Sequence, residues 1–257
     1  MIPRIRLEHL ELSRLICGTN PFLGISHFTQ SRDMFLREFF TVDKIAEVMG
    51  YVLEEFGVNC CLSSPRDEIY EAINIVEKDI GERFIWLCTP STRGTAKALE
   101  PDIFKQIQWC ADHGVSVCMP HRDYTDAYMN SASMTIEGIP EITTCIRDLN
   151  MIPGLSTHYH HAIRISQVQK YDVPVIIQPL NTLGFQSDIE VNTLVKTIQS
   201  TEIQIINIKP LAAGRLLPEV GLPFCYNSIK KNDFVACGFD NIQNSDYDCQ
   251  LVEKLLK

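Results

Sequence analysis

Residues 204–216, QIINIKPLAAGRL, combine an isoleucine-rich run with an abrupt turn. The run is typical of a parallel strand that is covered on both faces. We expect the strand to end at Lys209 and Pro210, where a cation follows the last isoleucine. Small residues at 212–214 then allow a ligand to approach the backbone closely. Ligands bind at the carboxyl ends of parallel strands, so this stretch predicts the position of a site.

The same unit, a short apolar run followed by an amphipathic helix, recurs along the chain. Strands are predicted at residues 14–18, 58–62, 83–88, 115–119, 151–156, 174–178, 203–208 and 234–237. Helices are predicted from a cap at Thr41 or Asp43 to Gly57 and at 67–79, 101–113, 139–149, 160–170, 188–200 and 245–256. Such alternation predicts parallel strands, and about eight units in about 250 residues favour a closed (β/α)8 TIM barrel. The α/β chain 1–257 is therefore predicted to be a single domain.

Other parts of the chain are less regular. Residues 5–19 alternate and then become apolar, which predicts a hairpin that leads into the first strand. The segment 24–40 is predicted to be a long loop, and the stretch after 203–208 is predicted to hold at most a short helix. We expect Asp188 to cap the helix at 188–200.

The bulk composition argues against several classes of function. A formal net charge of −9 over 257 residues argues against nucleic acid as a partner. No apolar run reaches the roughly 18–20 residues that a membrane span needs, and the N-terminus lacks the apolar core of a signal peptide. We therefore expect a cytoplasmic protein that acts on a small-molecule substrate or ligand. The sequence does not predict its oligomeric state.

The ten cysteines and the neighbouring histidines do not predict a metal centre. No two cysteines stand in a C-x-x-C pair, and most lie within apolar runs, where a cysteine is usually a small buried hydrophobe. His158 and His160 have H-x-H spacing, but no carboxylate stands close to them in the sequence. His160 and His161 open a predicted helix, and we interpret them as structural or solvent-facing.

Polar side chains follow the predicted strands, and in a barrel they share one face. Such a group is more polar than a packed core tolerates, which favours a site. Lys209 would be a Schiff-base nucleophile if burial lowered its pKa, but it could equally pair with an acid such as Asp123 or bind an anionic ligand. The predicted strand-end residues are Asn20, Ser63, Ser64, Thr89, His121, Arg122, Thr157, His158, Gln178, Asn181, Lys209 and Gly238.

Several segments resemble the aldo/keto reductase superfamily. SRLICGTNPFLG is similar to the first strand of that family, and EEFGVNCCLSS to the second. MPHRD is similar to the fourth-strand histidine motif and GLSTH to the fifth-strand motif. PVIIQPLN, IKPLAAGRL and ACGFDNIQN are similar to the sixth, seventh and eighth strands. The resemblance implies a barrel whose bottom is plugged by an N-terminal hairpin, and an enzyme that reduces carbonyl compounds with a nicotinamide cofactor.

The catalytic residues of that family are only partly matched. The family histidine corresponds to His121, whereas the family aspartate falls on Leu62 and the lysine falls near Thr89. The family tyrosine falls near Asp67, with Tyr70 one helical turn away. The resemblance therefore implies a degenerate active site. In such a site His121 acts as the acid or base, alone or with Tyr70 or Tyr124, although it could instead only cap a loop.

The cofactor positions are better matched. The resemblance implies that Ser156, Thr157 and Gln178 bind the nicotinamide carboxamide. Asp240 stands where a basic residue would bind the 2′-phosphate of NADP, which favours NAD over NADP and leaves no dinucleotide at all as an alternative. Loops after the last two strands would bind the phosphates through Pro210, Leu211, Gly214 and Gly238.

Three functions remain open at this point. The first is a divergent nicotinamide-dependent oxidoreductase that acts on a small carbonyl compound. The second is a non-redox enzyme, namely a lyase, an isomerase or a metal-assisted hydrolase, with His121, His158 and Lys209 as catalytic residues. The third is a non-catalytic ligand-binding barrel. In each case the expected substrate contacts are Asn20, His27, Arg122 and Asn181.

Overall fold

Parallel strands form a closed barrel in the computed structural model, which describes residues 1–91 and 102–257. The strands are β1 Arg4–Leu7, β2 Leu10–Ser13, β3 Leu15–Gly18, β4 Cys60–Ser63, β5 Ile85–Cys88, β6 Val117–Cys118, β7 Met129–Asn130, β8 Thr135–Ile136, β9 Ile152–Ser156, β10 Val175–Pro179, β11 Gln204–Ile208 and β12 Phe234–Gly238. The barrel runs β3-β4-β5-β6-β9-β10-β11-β12 and closes through the pairing of β12 with β3. The predicted TIM barrel is confirmed.

The N-terminal hairpin covers the amino end of the barrel, which we call the bottom. Strands β1 and β2 pair antiparallel, with Leu7 opposite Leu10. Leu7 and Leu12 are fully buried and pack into the barrel interior with Phe234. The backbone N–H of Ser13 donates to Asn59 Oδ1 at 2.9 Å, just before β4 begins. The hairpin predicted from the alternating N-terminus is therefore present.

Helices connect the barrel strands as predicted, with some new elements. The helices are α1 Gln30–Phe39, α2 Val42–Phe56, α3 Asp67–Ile80, α4 Ile103–Asp112, α5 Arg122–Thr125, α6 Ile139–Asp148, α7 His161–Gln169, α8 Val191–Ser200, α9 Pro218–Ser228 and α10 Ile242–Leu255. Thr41 caps α2, which ends at Gly57 with a φ of 72°. Between β6 and α6, the predicted loop contains α5 and the β7–β8 hairpin. The start of the predicted helix 101–113 falls partly outside the described residues.

Three sequence-based expectations were wrong. The segment 24–40 is not a loop throughout, because α1 occupies residues 30–39; its only buried residue is Leu36, so the sequence carries no apolar stripe. The stretch after β11 contains the eleven-residue helix α9 rather than at most a short helix, with Pro223 inside it. Helix α8 begins at Val191, and its cap is Glu190 rather than Asp188. The Glu190 carboxylate accepts from two backbone N–H groups of the first turn.

Two apolar layers hold the barrel together. One fills the interior with alternate strand residues such as Val175 and Ile177, and the other lies between strands and helices and includes Ile176. All ten cysteines are free, and all but Cys145 are buried, which confirms their interpretation as small hydrophobes. Among the described helices, none is both long and apolar enough to cross a membrane.

Candidate functional site

Five basic side chains lie at the carboxyl end of the barrel, which we call the mouth. His121 and Arg122 follow β6, His158 follows β9, Lys209 follows β11, and His27 precedes α1. We call these residues the basic cluster. They are close enough to influence one another: burial lowers the pKa of His158 to about 3, and the charges of Lys209 and Arg122 lower it further. The predicted convergence of His121, Arg122, His158 and Lys209 is therefore observed, and His27 joins them from the loop before α1.

Lys209 occupies an unusual backbone position in this cluster. Its φ is 60°, and Ala212 and Ala213 also have positive φ values of 47° and 59°. Left-handed conformations of non-glycine residues are strained and tend to occur at functional sites. Burial lowers the pKa of Lys209 to about 8, and the Arg122 charge adds to this effect. Lys209 therefore fulfils the condition set from the sequence for a reactive amine.

The alternative ion pair between Lys209 and Asp123 does not form. Instead, Asp123 Oδ1 lies 3.1 Å from His121 Nδ1, and its other oxygen accepts from the Ser91 hydroxyl. His121 Nδ1 also lies 3.4 Å from the backbone N–H of Asp123, so that His121 caps α5. The cap requires Nδ1 without a proton, whereas donation to the Asp123 carboxylate requires Nδ1 with one, so the two contacts alternate with the position of the proton. Within residues 1–91 and 102–257, no carboxylate lies within 4 Å of the Lys209 or Arg122 cation.

A half-buried carboxylate organises the loop after β9. Asp126 Oδ1 accepts from the Thr157 hydroxyl at 2.5 Å, and both of its oxygens accept from the His158 backbone N–H at 3.3 and 3.2 Å. Burial raises the pKa of Asp126, while the hydrogen bonds from Thr157 and His158 act in the opposite direction. Asp126 therefore fixes the position from which the His158 side chain enters the mouth. Sequence reasoning did not single out this residue.

The predicted carboxamide site is not assembled in this conformation. Ser156 lies on the interior side of β9, two residues after Gly154, where an added Cβ would lie 2.6 Å from the interior residue Met119. Gln178 follows Ile177, an interior residue, so strand alternation directs Gln178 toward the helices. Gln178 is 0% exposed, and its Nε2 and Oε1 have no hydrogen-bond partner among the described residues. With Thr157 bonded to Asp126, these residues do not present a joint surface to a nicotinamide ring.

The predicted phosphate loops are covered by the chain itself. Asp240 Oδ2 accepts from Arg32 of α1 at 2.5 Å, and its Oδ1 accepts from two asparagine side chains at 2.8 Å. Arg215 donates to the His27 carbonyl at 3.4 Å and lies over the rings of Phe28 and Phe185. The segment 24–40 is thereby tethered to the loops that follow β11 and β12. Asp240 and the loop after β11 are therefore engaged with segment 24–40 in this conformation.

The remaining predicted cofactor and substrate residues have mixed positions. Asn181 is fully buried, and its side chain bonds to the backbone of Leu183 and Phe185, so it stabilises its own loop. Asn20 is exposed in the turn after β3. Pro210 is buried and Leu211 half-buried, whereas Gly214, with a φ of 83°, and Gly238 are exposed.

Neither tyrosine considered from the sequence faces the mouth. The Tyr70 ring packs edge-on against His113, with ring centroids 4.9 Å apart, in the layer formed by α3 and α4. The Tyr124 hydroxyl donates to the Glu137 carbonyl at 3.2 Å. Leu62 packs against the apolar interior, and the Thr89 hydroxyl donates to the Ser63 carbonyl. Of Tyr70, Tyr124 and His121, which the sequence suggested as acid or base, His121 lies at the mouth.

Two histidines and an aspartate meet on the rim of the mouth, and the sequence analysis did not predict this contact. His160 and His161, at the start of α7, meet Asp188 from the loop before α8. The sequence suggested no carboxylate near these histidines, because Asp188 lies 28 residues further along the chain than His160. Asp188 was also expected to cap the helix at 188–200, so the sequence did not predict its contact with His160.

Comparisons with known proteins agree with the fold. No protein-family model matches the chain, and no curated protein matches it in sequence. A solved structure from Pseudomonas aeruginosa, described as an aldo-keto reductase, superposes with a TM-score of 0.68 at 13% identity, over 99% of this chain and 95% of that one. An aldo-keto reductase from Bacillus halodurans gives 0.62 at 13% identity over 100% and 97%. One from Brucella melitensis gives 0.61 at 10% over 99% and 98%. Along its whole length the chain has the fold of the aldo-keto reductases.

Proposed function

We propose that the barrel mouth binds a small anionic carbonyl compound and that Lys209 is the amine that reacts with it. The supporting observation is that the Lys209 and Arg122 cations converge without a carboxylate partner in the described chain. A desolvated cation is unfavourable unless an opposite charge accompanies it. Lys209 is such a cation, and the exposed Arg122 guanidinium adds a second positive charge beside it. In a protein with a net charge of −9, two positive charges at the strand ends without a carboxylate partner in the described chain suggest that the missing partner is a ligand.

Each group then has a chemical role. Arg122 would bind the carboxylate or phosphate of the ligand through its planar guanidinium group. The neutral Lys209 amine would attack the carbonyl carbon and form a C–N bond, and the carbonyl oxygen would leave as water. The resulting iminium ion withdraws electrons from the neighbouring carbon, which supports lyase or isomerase chemistry.

The imidazoles complete the site. His121, oriented by Asp123, would transfer the protons that accompany carbinolamine dehydration, and Asp126 holds the His158 backbone through a hydrogen bond. Lysine with a pKa near 8 has a useful fraction of neutral amine at neutral pH, which an ordinary exposed lysine lacks.

Borohydride trapping tests this proposal directly. The protein would be incubated with a panel of 2-oxo acids and phosphorylated aldehydes or ketones, reduced, and analysed by intact mass and peptide mapping. We expect a single adduct on Lys209 with at least one compound. Lys209→Met should abolish it, and Arg122→Gln should weaken it for anionic compounds.

Lys170 provides a matched control lysine. It also has a positive φ, 54°, but it is exposed at the end of α7. Lys170→Met should leave the adduct unchanged. Labelling that is spread over several surface lysines, or that persists in Lys209→Met, would contradict the proposal.

A nicotinamide-dependent oxidoreductase is the second candidate. It is favoured by the full-length similarity to aldo-keto reductase structures, and Asp240 favours NAD over NADP. For this function, segment 24–40 would have to move away from the loops after β11 and β12. Fluorescence titration of ligand-free protein with NADH and NADPH tests this candidate. Saturable binding, tighter for NADH, would support it, and no binding at millimolar cofactor would eliminate it.

A further inference from the structure

We propose that His160, His161 and Asp188 bind one divalent transition-metal ion at the rim of the mouth. Each of the three side chains offers one ligand atom, and these atoms all lie within 4.8 Å of one another. The ligands come from two consecutive strand-to-helix loops, the first between β9 and α7 and the second between β10 and α8. The fold, rather than local sequence, therefore brings them together.

One distance in the cluster is close to that between two ligands of the same ion. His160 Nδ1 lies 2.8 Å from Asp188 Oδ2. Two ligands of a tetrahedral ion, each about 2.1 Å from the metal, are about 3.4 Å apart. An ion could therefore bind between these two atoms if they moved apart by about half an ångström, while the ligand atoms that lie up to 4.8 Å apart would move closer together. The rings of His160 and His161 have centroids 4.0 Å apart and planes inclined by 43°, so the two imidazoles lie side by side.

The site is partly desolvated and already oriented. The side chains of His160 and Asp188 are 17% and 15% exposed. The backbone N–H of His160 donates to both Asp188 oxygens, at 3.0 and 3.2 Å, which fixes the carboxylate while leaving lone pairs for an ion. Orientation of ligands before binding is what distinguishes a metal site from flexible surface residues.

A purely structural role would explain only part of this arrangement. The pair of Asp188 with His160 holds the start of α7, where no side chain caps the helix. That role does not require His161, whose ring has no hydrogen-bond partner among the residues that the structure describes. Two imidazoles and a carboxylate whose ligand atoms lie within 4.8 Å of one another form a donor set for a metal ion.

The donor types restrict the choice of metal. Imidazole nitrogens favour zinc, cobalt, nickel or copper over magnesium and calcium, which prefer oxygen ligands. Three protein ligands leave at least one coordination position for water or for a ligand atom, as in catalytic zinc sites. The proposal does not depend on the chemistry assigned to Lys209.

Cobalt titration tests the site. Protein purified without a polyhistidine tag and dialysed against a chelator would be titrated with Co²⁺ while its visible absorption is recorded, and Zn²⁺ would then displace the cobalt. We expect one equivalent of Co²⁺ with a d–d spectrum that Zn²⁺ abolishes. Failure to saturate near one equivalent would overturn the proposal.

Variants locate the ion. His161→Ala is the most informative, because it leaves the Asp188–His160 pair and hence the start of α7 intact. We expect His161→Ala and Asp188→Asn each to weaken Co²⁺ binding at least about tenfold. His9→Ala, in the exposed hairpin turn, is the matched control and should bind as the wild type does. Wild-type affinity in both His161→Ala and Asp188→Asn would contradict the proposal.

Discussion

The two ends of the barrel differ in whether buried or half-buried cations such as Lys230 and Lys209 form ion pairs with carboxylates. At the bottom, Lys230 Nζ lies 2.9 Å from Asp233, and Arg147 binds both Glu8 at 2.6 Å and Asp172 at 2.7 Å. At the mouth, the Lys209 and Arg122 cations have no carboxylate within 4 Å in the part of the chain that the structure describes. The same chain thus pairs Lys230 and Arg147 at the bottom and, among the residues described, leaves Lys209 and Arg122 without a carboxylate at the mouth, where ligands enter barrels.

This difference separates two uses of charge. A paired cation contributes to the fold and is satisfied before any ligand arrives. An unpaired, partly buried cation lowers the free energy of unfolding. Binding of an anion to that cation then raises the free energy of unfolding again. Variants at the two ends should therefore change the free energy of unfolding in opposite directions.

Loss of the acid at the bottom should be the most damaging change. Asp233 is 0% exposed and accepts from the Ile205 N–H at 2.9 Å and from Lys230 Nζ at 2.9 Å. Burial raises its pKa, while these donors lower it. Asp233→Ala would remove the only carboxylate that pairs with Lys230 Nζ in the described chain and the acceptor of the Ile205 and Lys230 backbone N–H groups. We expect a loss of about 3–5 kcal/mol in urea unfolding.

The exposed pair Arg6–Glu11, 3.4 Å apart in the hairpin, is the control for this experiment. Arg6→Ala should change the free energy of unfolding by less than about 1 kcal/mol. A loss in Asp233→Ala no larger than this would mean that pairing at the bottom is not structural.

A buried carboxyl group without a cation beside it should make the free energy of unfolding depend on pH. Asp248 of α10 is buried, and its hydrogen bond comes from the weakly donating Cys237 thiol at 3.6 Å. Burial raises its pKa to about 7. The folded state therefore holds a proton that the unfolded state releases near pH 4, and this contribution to stability is lost as the pH rises from about 4 to about 7.

Asp248→Asn removes that pH dependence. At pH 8 the variant should be more stable than the wild type by roughly 2–4 kcal/mol, whereas at pH 4 the two should be nearly equal. Unfolding midpoints measured across this range test the expectation. Equal free energies of unfolding at pH 8 would show that the ionised Asp248 carboxylate does not destabilise the folded state. Burial without a cation partner would then not lower the stability of this protein.

Much of this architecture could be predicted from the sequence. A strand that is covered on both faces has to be apolar along its length, so β10 and β11 stand out as uninterrupted isoleucine-rich runs. Helix α1 could not be predicted, because most of it is exposed and its only buried side chain, Leu36, leaves no periodic pattern. Helix α9 could not be predicted for a different reason: it contains Pro218 and Pro223, and proline disfavours the interior of a helix.

The sequence predicted which residues lie at the strand ends, but it did not predict which side chains they contact. The position after β11 placed Lys209 at the mouth without any structural knowledge. In contrast, the side of the sheet that Gln178 faces depends on a single residue of register, which similarity of motifs does not determine. Contacts such as Asp188 with His160 or Arg32 with Asp240 join distant loops, and only the closed barrel creates them.

At the mouth, loss of a cation should stabilise the fold. The pKa of Lys209 is lowered to about 8, so its charge penalises the folded state at neutral pH. Between about pH 8 and pH 10.5 the folded state is already deprotonated while the unfolded lysine still holds its proton, so this penalty disappears as the pH rises. Lys209→Met should therefore be more stable than the wild type by roughly 1–3 kcal/mol at pH 7, and by less at pH 10. Destabilisation at pH 7 would show that Lys209 has a structural partner.

A smaller effect is expected from a direct comparison of one arginine from each end. Phosphate at ten times its dissociation constant should stabilise the wild type by about 1.4 kcal/mol, or about 3–6 °C in Tm. Arg122→Gln at the mouth should lose most of this increment. Arg147→Gln at the bottom should start from a lower Tm, because its bonds to Glu8 and Asp172 are lost, but it should keep the increment. If phosphate raised the Tm of both variants equally, or did not raise the Tm of the wild type, the unpaired cations at the mouth would not be an anion-binding site.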